Sequence, residues 1–182
     1  MKTSRHILCW ISAAALASAS LPMYGEASLK VGQVAPRFSG HDQDGHTWKL
    51  SHYIGKKYVL LYFYPKDDTA GGTAEACGLR DNLAELKMAG VEVVGVSSDG
   101  EKSHKEFAFK NNLAFPLLAD TGGHIAEAYG ARMDEDKKLD RRVSFLIGLD
   151  GRILRITNSP DPVVHLKEMA SAIVQLKGKD SL

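Results

Sequence analysis

The stretch YVLLYF, residues 58–63, consists entirely of apolar and aromatic side chains. Such a run is expected of a central β-strand that is buried on both faces. Pro65 follows two residues later and ends the strand, because proline has no N–H for a ladder hydrogen bond. A second run, VEVVGV at residues 91–96, predicts another buried strand. The centre of the fold is therefore expected to be a sheet covered on both sides.

Shorter patterns surround these two strands. A polar, glycine-containing loop at 66–72 precedes a predicted helix from Thr73 to Met88, which has apolar residues at helical spacing and is closed by Gly90. Pro116 places the brief strand 115–118 at a sheet edge. The remaining predicted elements of this part are a short strand at 46–50 and helices at 101–112 and 124–129.

The last third of the chain predicts a hairpin and a helix. Apolar runs at 143–147 and 153–156 flank Asp150-Gly151, a strong signal for a two-residue hairpin turn. Pro162 opens a terminal helix that extends to about Leu176. Two buried strands joined by helical crossovers, then a hairpin and a helix, predict an α/β fold. That order is the thioredoxin-like plan, with a central mixed sheet flanked by helices.

Length and composition favour one ordinary globular domain. The chain has 182 residues, 44% hydrophobic and 25% charged, with a formal net charge of +1. One core is the natural outcome at this length. Lysine and arginine are spread along the chain rather than clustered, so a nucleic-acid partner is not expected.

The N-terminus differs from the rest of the chain. Lys2 and Arg5 precede an apolar run at residues 7–17, and the small residues Ala17-Ser18-Ala19 follow. This order is typical of a secretory signal peptide. The alternative is a short amphipathic or buried N-terminal helix.

The signal peptide sets the predicted domain boundaries and destination. Cleavage is expected near residue 19 or 27, so residues 1–27 hold the signal peptide and the start of a linker, and 28–182 form a single domain. The apolar run is too short for a comfortable permanent membrane anchor. The mature protein is expected to be exported, periplasmic or secreted, with no membrane contact after signal removal.

Cysteine content limits the chemistry. Cys9 lies in the apolar run and is expected to be removed, which leaves Cys77 as the one cysteine of the mature chain. An intrachain disulfide, a Cys-x-x-Cys redox pair and a thiolate zinc cluster each need at least two thiols. The histidines show no i, i+4 pairing, so we predict neither a metal site nor a bound cofactor.

The segment FYPKDDTAGGTAEACGLRD, residues 63–81, resembles the peroxiredoxin Q, or bacterioferritin comigratory protein, branch of the AhpC/TSA-like peroxiredoxins. Those proteins carry a strand ending Phe-Tyr-Pro-Lys, then Thr-Pro-Gly-Cys-Thr, and a second cysteine five residues after the first. In this sequence Ala70 stands in place of the proline. Gly72 stands in place of the first cysteine, which is the peroxide-attacking, or peroxidatic, residue.

The resemblance continues in order through residues 30–178. It includes FPLLAD at 115–120, AEAYG at 126–130 and RVSFLI at 142–147. It implies a thioredoxin-dependent thiol peroxidase that reduces hydrogen peroxide and organic hydroperoxides. It also implies peroxide as substrate, a thioredoxin-like reductant as partner, and a monomer or weak dimer.

The resemblance assigns roles to three further residues of this sequence. Thr69 would hold the peroxide and the thiolate through its hydroxyl, Arg142 would stabilise the thiolate and the developing charge, and Pro65 would shield the pocket. Each also has a plainer interpretation: Thr69 caps a helix or turn, Arg142 pairs with a nearby carboxylate, and Pro65 ends a strand.

Cys77 occupies the position where the family keeps its resolving cysteine, which attacks the oxidised first cysteine. Without a partner at Gly72, it is either a half-buried thiol of low reactivity or a peroxide-sensitive or intermolecular one.

The sequence leaves two functions open. The chain is a thiol peroxidase, weak or inactive because Gly72 lacks the sulfur, or a non-catalytic exported binding or scaffold protein of the same fold. A disulfide reductase is excluded by the cysteine count.

Overall fold

The structure is a computed structural model that describes residues 29–134 and 139–179. The predicted signal peptide lies outside the described residues. The strands are β1 (Ser39–His41), β2 (Thr47–Lys49), β3 (Tyr58–Phe63), β4 (Val91–Ser97), β5 (Leu117–Ala119), β6 (Arg132–Asp134), β7 (Leu139–Asp140), β8 (Val143–Ile147) and β9 (Ile153–Asn158). The helices are α1 (Ala70–Asp81), α2 (Leu83–Met88), α3 (Glu101–Asn111), α4 (His124–Ala128) and α5 (Pro162–Lys179), with a 3-10 turn at Leu50–His52.

A five-stranded mixed sheet forms the centre, in the order β5-β4-β3-β8-β9. β3 runs parallel to β4 and antiparallel to β8, and β5 extends the parallel side. β9 pairs with β8 in antiparallel fashion. The predicted α/β class, the central position of β3 and the edge position of β5 are therefore confirmed.

Two apolar layers cover the two faces of the sheet. Alternate β3 residues point to opposite faces, so Leu60 and Tyr62 pack against α1, α2, α3 and α5. Leu61 and Phe63 pack on the other side against α4 and the segment that contains Trp48. Every residue from Val59 to Phe63 is essentially inaccessible to solvent. This double coverage explains why the strand is apolar at each position.

Two local predictions are wrong in detail. The predicted helix Thr73–Met88 is two helices: α1 begins earlier because Thr69 caps it, and the chain breaks at Asn82, whose side-chain amide donates to the Gly78 carbonyl over 2.8 Å. The β8–β9 turn spans residues 148–152 rather than two residues. Gly151 supplies a positive φ of 77° within that longer loop. The sequence analysis made no prediction for the strands β1, β6 and β7, which are two or three residues long.

None of the helices within residues 29–134 and 139–179 is long and apolar enough to cross a membrane.

Candidate functional site

The predicted catalytic loop connects the carboxyl end of β3 to the first turn of α1. Pro65 is half-buried immediately after the strand, and Thr69 is the N-cap residue of α1. The Thr69 hydroxyl donates to the Lys66 carbonyl over 2.9 Å and accepts from the Gly72 backbone nitrogen over 3.1 Å. Gly72 thus lies buried in the first helical turn, where the helix dipole favours negative charge.

Two acidic residues fix this loop to α3. The Asp67 carboxylate accepts hydrogen bonds from Tyr64 and Ser103, each over 2.7 Å, and lies 2.9 Å from Nδ1 of His104. Burial raises the pKa of Asp67, but these hydrogen bonds outweigh it and leave the pKa below its ordinary value. Next to it, Asp68 has a positive φ of 54° and pairs with Lys110 over 2.7 Å. The loop conformation is therefore set by contacts that involve no thiol.

Arg142 reaches the same site from the position immediately before β8. Its Nη1 donates to Glu75 of α1, and its Nε donates to the Pro160 carbonyl over 3.2 Å. A Cβ atom built on Gly71 would lie 2.6 Å from Nη2 of Arg142, so the guanidinium contacts the helix backbone next to Gly72. Gly71 and Glu75 are four residues apart and share one face of α1. The helical spacing places Gly71 and Glu75 side by side, and the tertiary fold places the Arg142 guanidinium against both.

Glu75 and His165 belong to this site although sequence analysis did not single them out. Glu75 is fully buried, and His165 of α5 lies beneath it with Nδ1 3.6 Å from Oε1 of Glu75. Glu75 could have been identified from the sequence, because it lies four residues after Gly71 and therefore on the same face of the helix. His165 gives no comparable signal, because a histidine within an amphipathic helix has no preferred partner in the sequence.

Cys77 lies away from this group, on the side of α1 that faces α3. It is half-buried, and its Sγ is 3.7 Å from Oδ1 of Asn111. Positions 72 and 77 are separated by about 7.5 Å of helical rise and about 140° of rotation. The structure therefore brings Pro65, Thr69, Gly72 and Arg142 to one place and directs Cys77 elsewhere.

The space above Gly72 is closed. A Cβ atom at this position would lie 2.7 Å from the Lys66 carbonyl oxygen and 2.8 Å from Oγ1 of Thr69. Both distances are shorter than ordinary non-bonded contacts, and one of the atoms belongs to the backbone. A side chain at position 72 therefore requires the loop 66–69 to shift.

Across the part of the chain that the structure describes, no three His, Cys, Asp or Glu side chains lie together as a metal site would need.

The sheet, the helix that begins directly after its central strand and the capped first turn define a thioredoxin-fold protein. Comparison with known proteins is more specific: residues 31–156 match the AhpC/TSA family. The chain belongs to this family, the peroxiredoxins, which are thiol peroxidases that use peroxide substrates and thioredoxin-like reductants.

Two curated relatives carry related names. The chain is 44% identical over 154 residues to "Peroxiredoxin Bcp" of Escherichia coli, a match covering 78% of this chain and 98% of the relative. It is 40% identical over 151 residues to "Peroxiredoxin Q, chloroplastic" of Populus jackii, covering 82% and 70%.

Solved structures agree. The fold is similar to that of peroxidoxin BcpB from Mycobacterium tuberculosis, with a TM-score of 0.74, 30% sequence identity and coverage of 82% of this chain and 97% of the other. Peroxiredoxin Q from Xanthomonas campestris is similar with a TM-score of 0.69 and 27% identity, covering 78% and 90%.

Proposed function

We propose that this chain is a peroxiredoxin in which Gly72 occupies the peroxidatic position, and that it therefore reduces peroxide weakly or not at all. The observation that carries the proposal is the position of Gly72. It lies in the first turn of α1, bonded to Thr69 and one residue from the contact with Arg142, and it has no side chain.

The missing atom is the one that reacts. In a thiol peroxidase the thiolate sulfur bonds to one peroxide oxygen, the O–O bond breaks, and the other oxygen leaves as water or an alcohol after gaining a proton. The sulfur is oxidised to a sulfenic acid. Hydroxyl and guanidinium groups such as those of Thr69 and Arg142 stabilise charge in such a step, but neither can serve as the two-electron reductant.

Cys77 does not replace the missing sulfur. Its side chain is directed to Asn111 on α3, on a different face of α1 from Gly71 and Glu75. Bringing its sulfur to Arg142 would require α1 to unwind. Gly78 opposes this, because it packs so closely on Leu166 of α5 that an added Cβ would overlap the leucine side chain.

A binding or scaffold role in the same exported setting is the second candidate. The observation that favours it is the anchoring of the loop by Asp67 and Asp68, which needs no thiol. A member that lost its sulfur can therefore keep the family's surface intact.

Peroxide consumption by the purified mature chain tests the proposal. Wild type, Cys77→Ser and Gly72→Cys are assayed with a thioredoxin system, and intact masses are measured before and after peroxide. We expect little or no turnover by wild type, and at most a slow mass gain that Cys77→Ser abolishes. Turnover by wild type comparable to that of an active peroxiredoxin would contradict the proposal.

We also propose that the protein is exported after removal of an N-terminal signal peptide near residue 19 or 27, leaving one domain from about residue 28. The support is the order of basic, apolar and small residues at the N-terminus. N-terminal sequencing of the native protein checks this, and an intact Met1 would contradict it.

A thioredoxin-like partner and a monomeric or weakly dimeric state are parts of the proposed peroxiredoxin function. Pull-down tests the partner, and sedimentation tests the oligomeric state.

A further inference from the structure

Four polar side chains form a buried cluster between α1, β8 and α5. They are Glu75, Arg142, Ser144 and His165, and each is at most 9% exposed. The family's peroxide chemistry, as outlined above, gives no role to His165 or Ser144. Buried polar groups are costly unless each is paired, so their arrangement needs an explanation.

The hydrogen bonds of His165 limit where its protons lie. Its Nε2 is 2.9 Å from the Ser159 carbonyl oxygen, which can only accept, so Nε2 carries a proton. Nδ1 is 2.8 Å from Oγ of Ser144 and 3.6 Å from Oε1 of Glu75. One nitrogen therefore faces both the hydroxyl and the carboxylate. A hydrolytic Ser-His-carboxylate triad uses the two different ring nitrogens, so this cluster is not one.

Glu75 has one oxygen paired and one oxygen without a partner. Oε2 accepts from Arg142, whereas Oε1 is buried and forms no hydrogen bond with any described residue. After a small approach of the two side chains, a proton on Oε1 would be donated to Nδ1 of His165 in place of the Ser144 hydroxyl proton, and a proton on Nδ1 would be donated to Oε1 or to Oγ of Ser144. An added proton therefore has a place between the Glu75 carboxyl group and the His165 imidazole, and either group can carry it.

We propose that Glu75 and His165 share one proton, and that this proton sets how firmly Arg142 is held against the first turn of α1. With Glu75 ionised, the carboxylate binds the guanidinium as a charged pair. With Glu75 protonated, the guanidinium faces a neutral carboxyl and its hold weakens. The device acts on the site described above but does not depend on peroxide being reduced there.

The electrostatics of the cluster agree with this device. Burial raises the pKa of Glu75 to about 7, although Arg142 acts in the opposite direction. Burial lowers the pKa of His165; the Ser159 carbonyl opposes this and Arg142 adds to it. As the pH falls, the carboxyl therefore gains its proton before the imidazole does.

The other ionisable groups near the cluster do not change this order. Tyr62 of β3 stays neutral, because burial raises its pKa well above the ordinary value. Asp161, just before α5, and Glu168 of α5 both raise the pKa of His165. Each of them affects this pKa less than burial does, so the pKa stays lowered.

Nuclear magnetic resonance of the full mature chain tests the proposal directly. The arginine side-chain nitrogens, glutamate carboxyl carbons and histidine ring carbons are followed from about pH 8 to pH 5.5. Spectra of Arg142→Lys, Glu75→Gln and His165→Gln assign the signals. We expect slow guanidinium rotation of Arg142 at pH 8, its loss on acidification, and a midpoint that coincides with the Glu75 carboxyl titration.

The coupling between the two residues has its own readout. His165→Gln should move the Glu75 midpoint to lower pH by at least half a unit, because an amide oxygen replaces the basic imidazole nitrogen that accepts the carboxyl proton. His52→Gln, at an exposed position, is the matched control and should leave the midpoint unchanged. An Arg142 signal that is constant between pH 8 and 5.5, or a Glu75 midpoint unaffected by His165→Gln, would overturn the proposal. The wild-type titration shows whether the Arg142 signal changes with pH even if a variant fails to fold.

Discussion

The Thr69 hydroxyl caps α1 by accepting a hydrogen bond from the Gly72 backbone nitrogen over 3.1 Å, while it donates to the Lys66 carbonyl. The residue that the family resemblance assigns to peroxide binding therefore also forms the start of the helix. Any side chain placed at position 72 comes within 2.8 Å of this same hydroxyl. Capping and catalysis would have to share one oxygen atom.

Introducing a thiol with Gly72→Cys should allow at least one turnover of peroxide, because Thr69 and Arg142 lie beside the first turn of α1. The Cβ overlap with the Lys66 carbonyl and Thr69 should lower the free energy of unfolding by about 1–3 kcal/mol. Stopped-flow measurement of peroxide reduction and urea denaturation check the two parts.

Gly72→Ala is the matched control, because it introduces the Cβ atom without the sulfur. It should show a similar loss of stability and no gain in peroxide reduction. If the Gly72→Cys thiol reacts no faster than free cysteine, the retained residues no longer form a peroxidase pocket, and the binding or scaffold role is favoured.

Thr69→Ala should destabilise the protein by about 1 kcal/mol, because the Gly72 nitrogen loses its cap. Thr69→Ser keeps the hydroxyl and should lose much less. Chemical denaturation compares the two variants. Equal losses would mean that the methyl group, rather than the hydrogen bond, accounts for the effect.

Asp67→Asn should destabilise the protein at neutral pH by roughly 1–3 kcal/mol, since it replaces a buried carboxylate that accepts hydrogen bonds from Tyr64 and Ser103. The folded state lowers the pKa of Asp67 from 3.8, so its contribution is present above that pH and is lost as the pH falls through the lower, folded value.

The stability difference between wild type and Asp67→Asn should therefore be constant near pH 6 and shrink below about pH 4. Urea denaturation at several pH values measures it. Asp68→Asn, which affects the exposed pair with Lys110, is the control and should change stability by less than about 1 kcal/mol. A difference that grows with acidification would contradict the assignment.

Gly78→Ala should lower the free energy of unfolding by about 1–3 kcal/mol, because its Cβ would overlap Leu166 of α5. Adding Leu166→Val should recover part of the loss by making room. A double-mutant cycle measures this coupling. Additive effects of the two substitutions would show that α1 and α5 do not depend on this close contact.

The sequence by itself determined the elements that local patterns encode. The apolar runs that became β3, β4 and β8 are recognisable because strands buried on both faces are apolar at most of their positions. The edge position predicted from Pro116 is correct, although β5 begins one residue after the proline, and Pro162 is the first residue of α5. The sequence placed Thr69 and Gly72 in the loop before a helix, whereas in the structure Thr69 is the N-cap residue and Gly72 lies in the first turn of α1. The functional roles of these two residues remain predictions.

Only the tertiary structure decided which polar groups meet. Arg142 pairs with Glu75 across 67 positions of sequence, and His165 reaches Ser144 across 21. Such pairs have no periodicity to reveal them, because they depend on how α5 and β8 pack against α1.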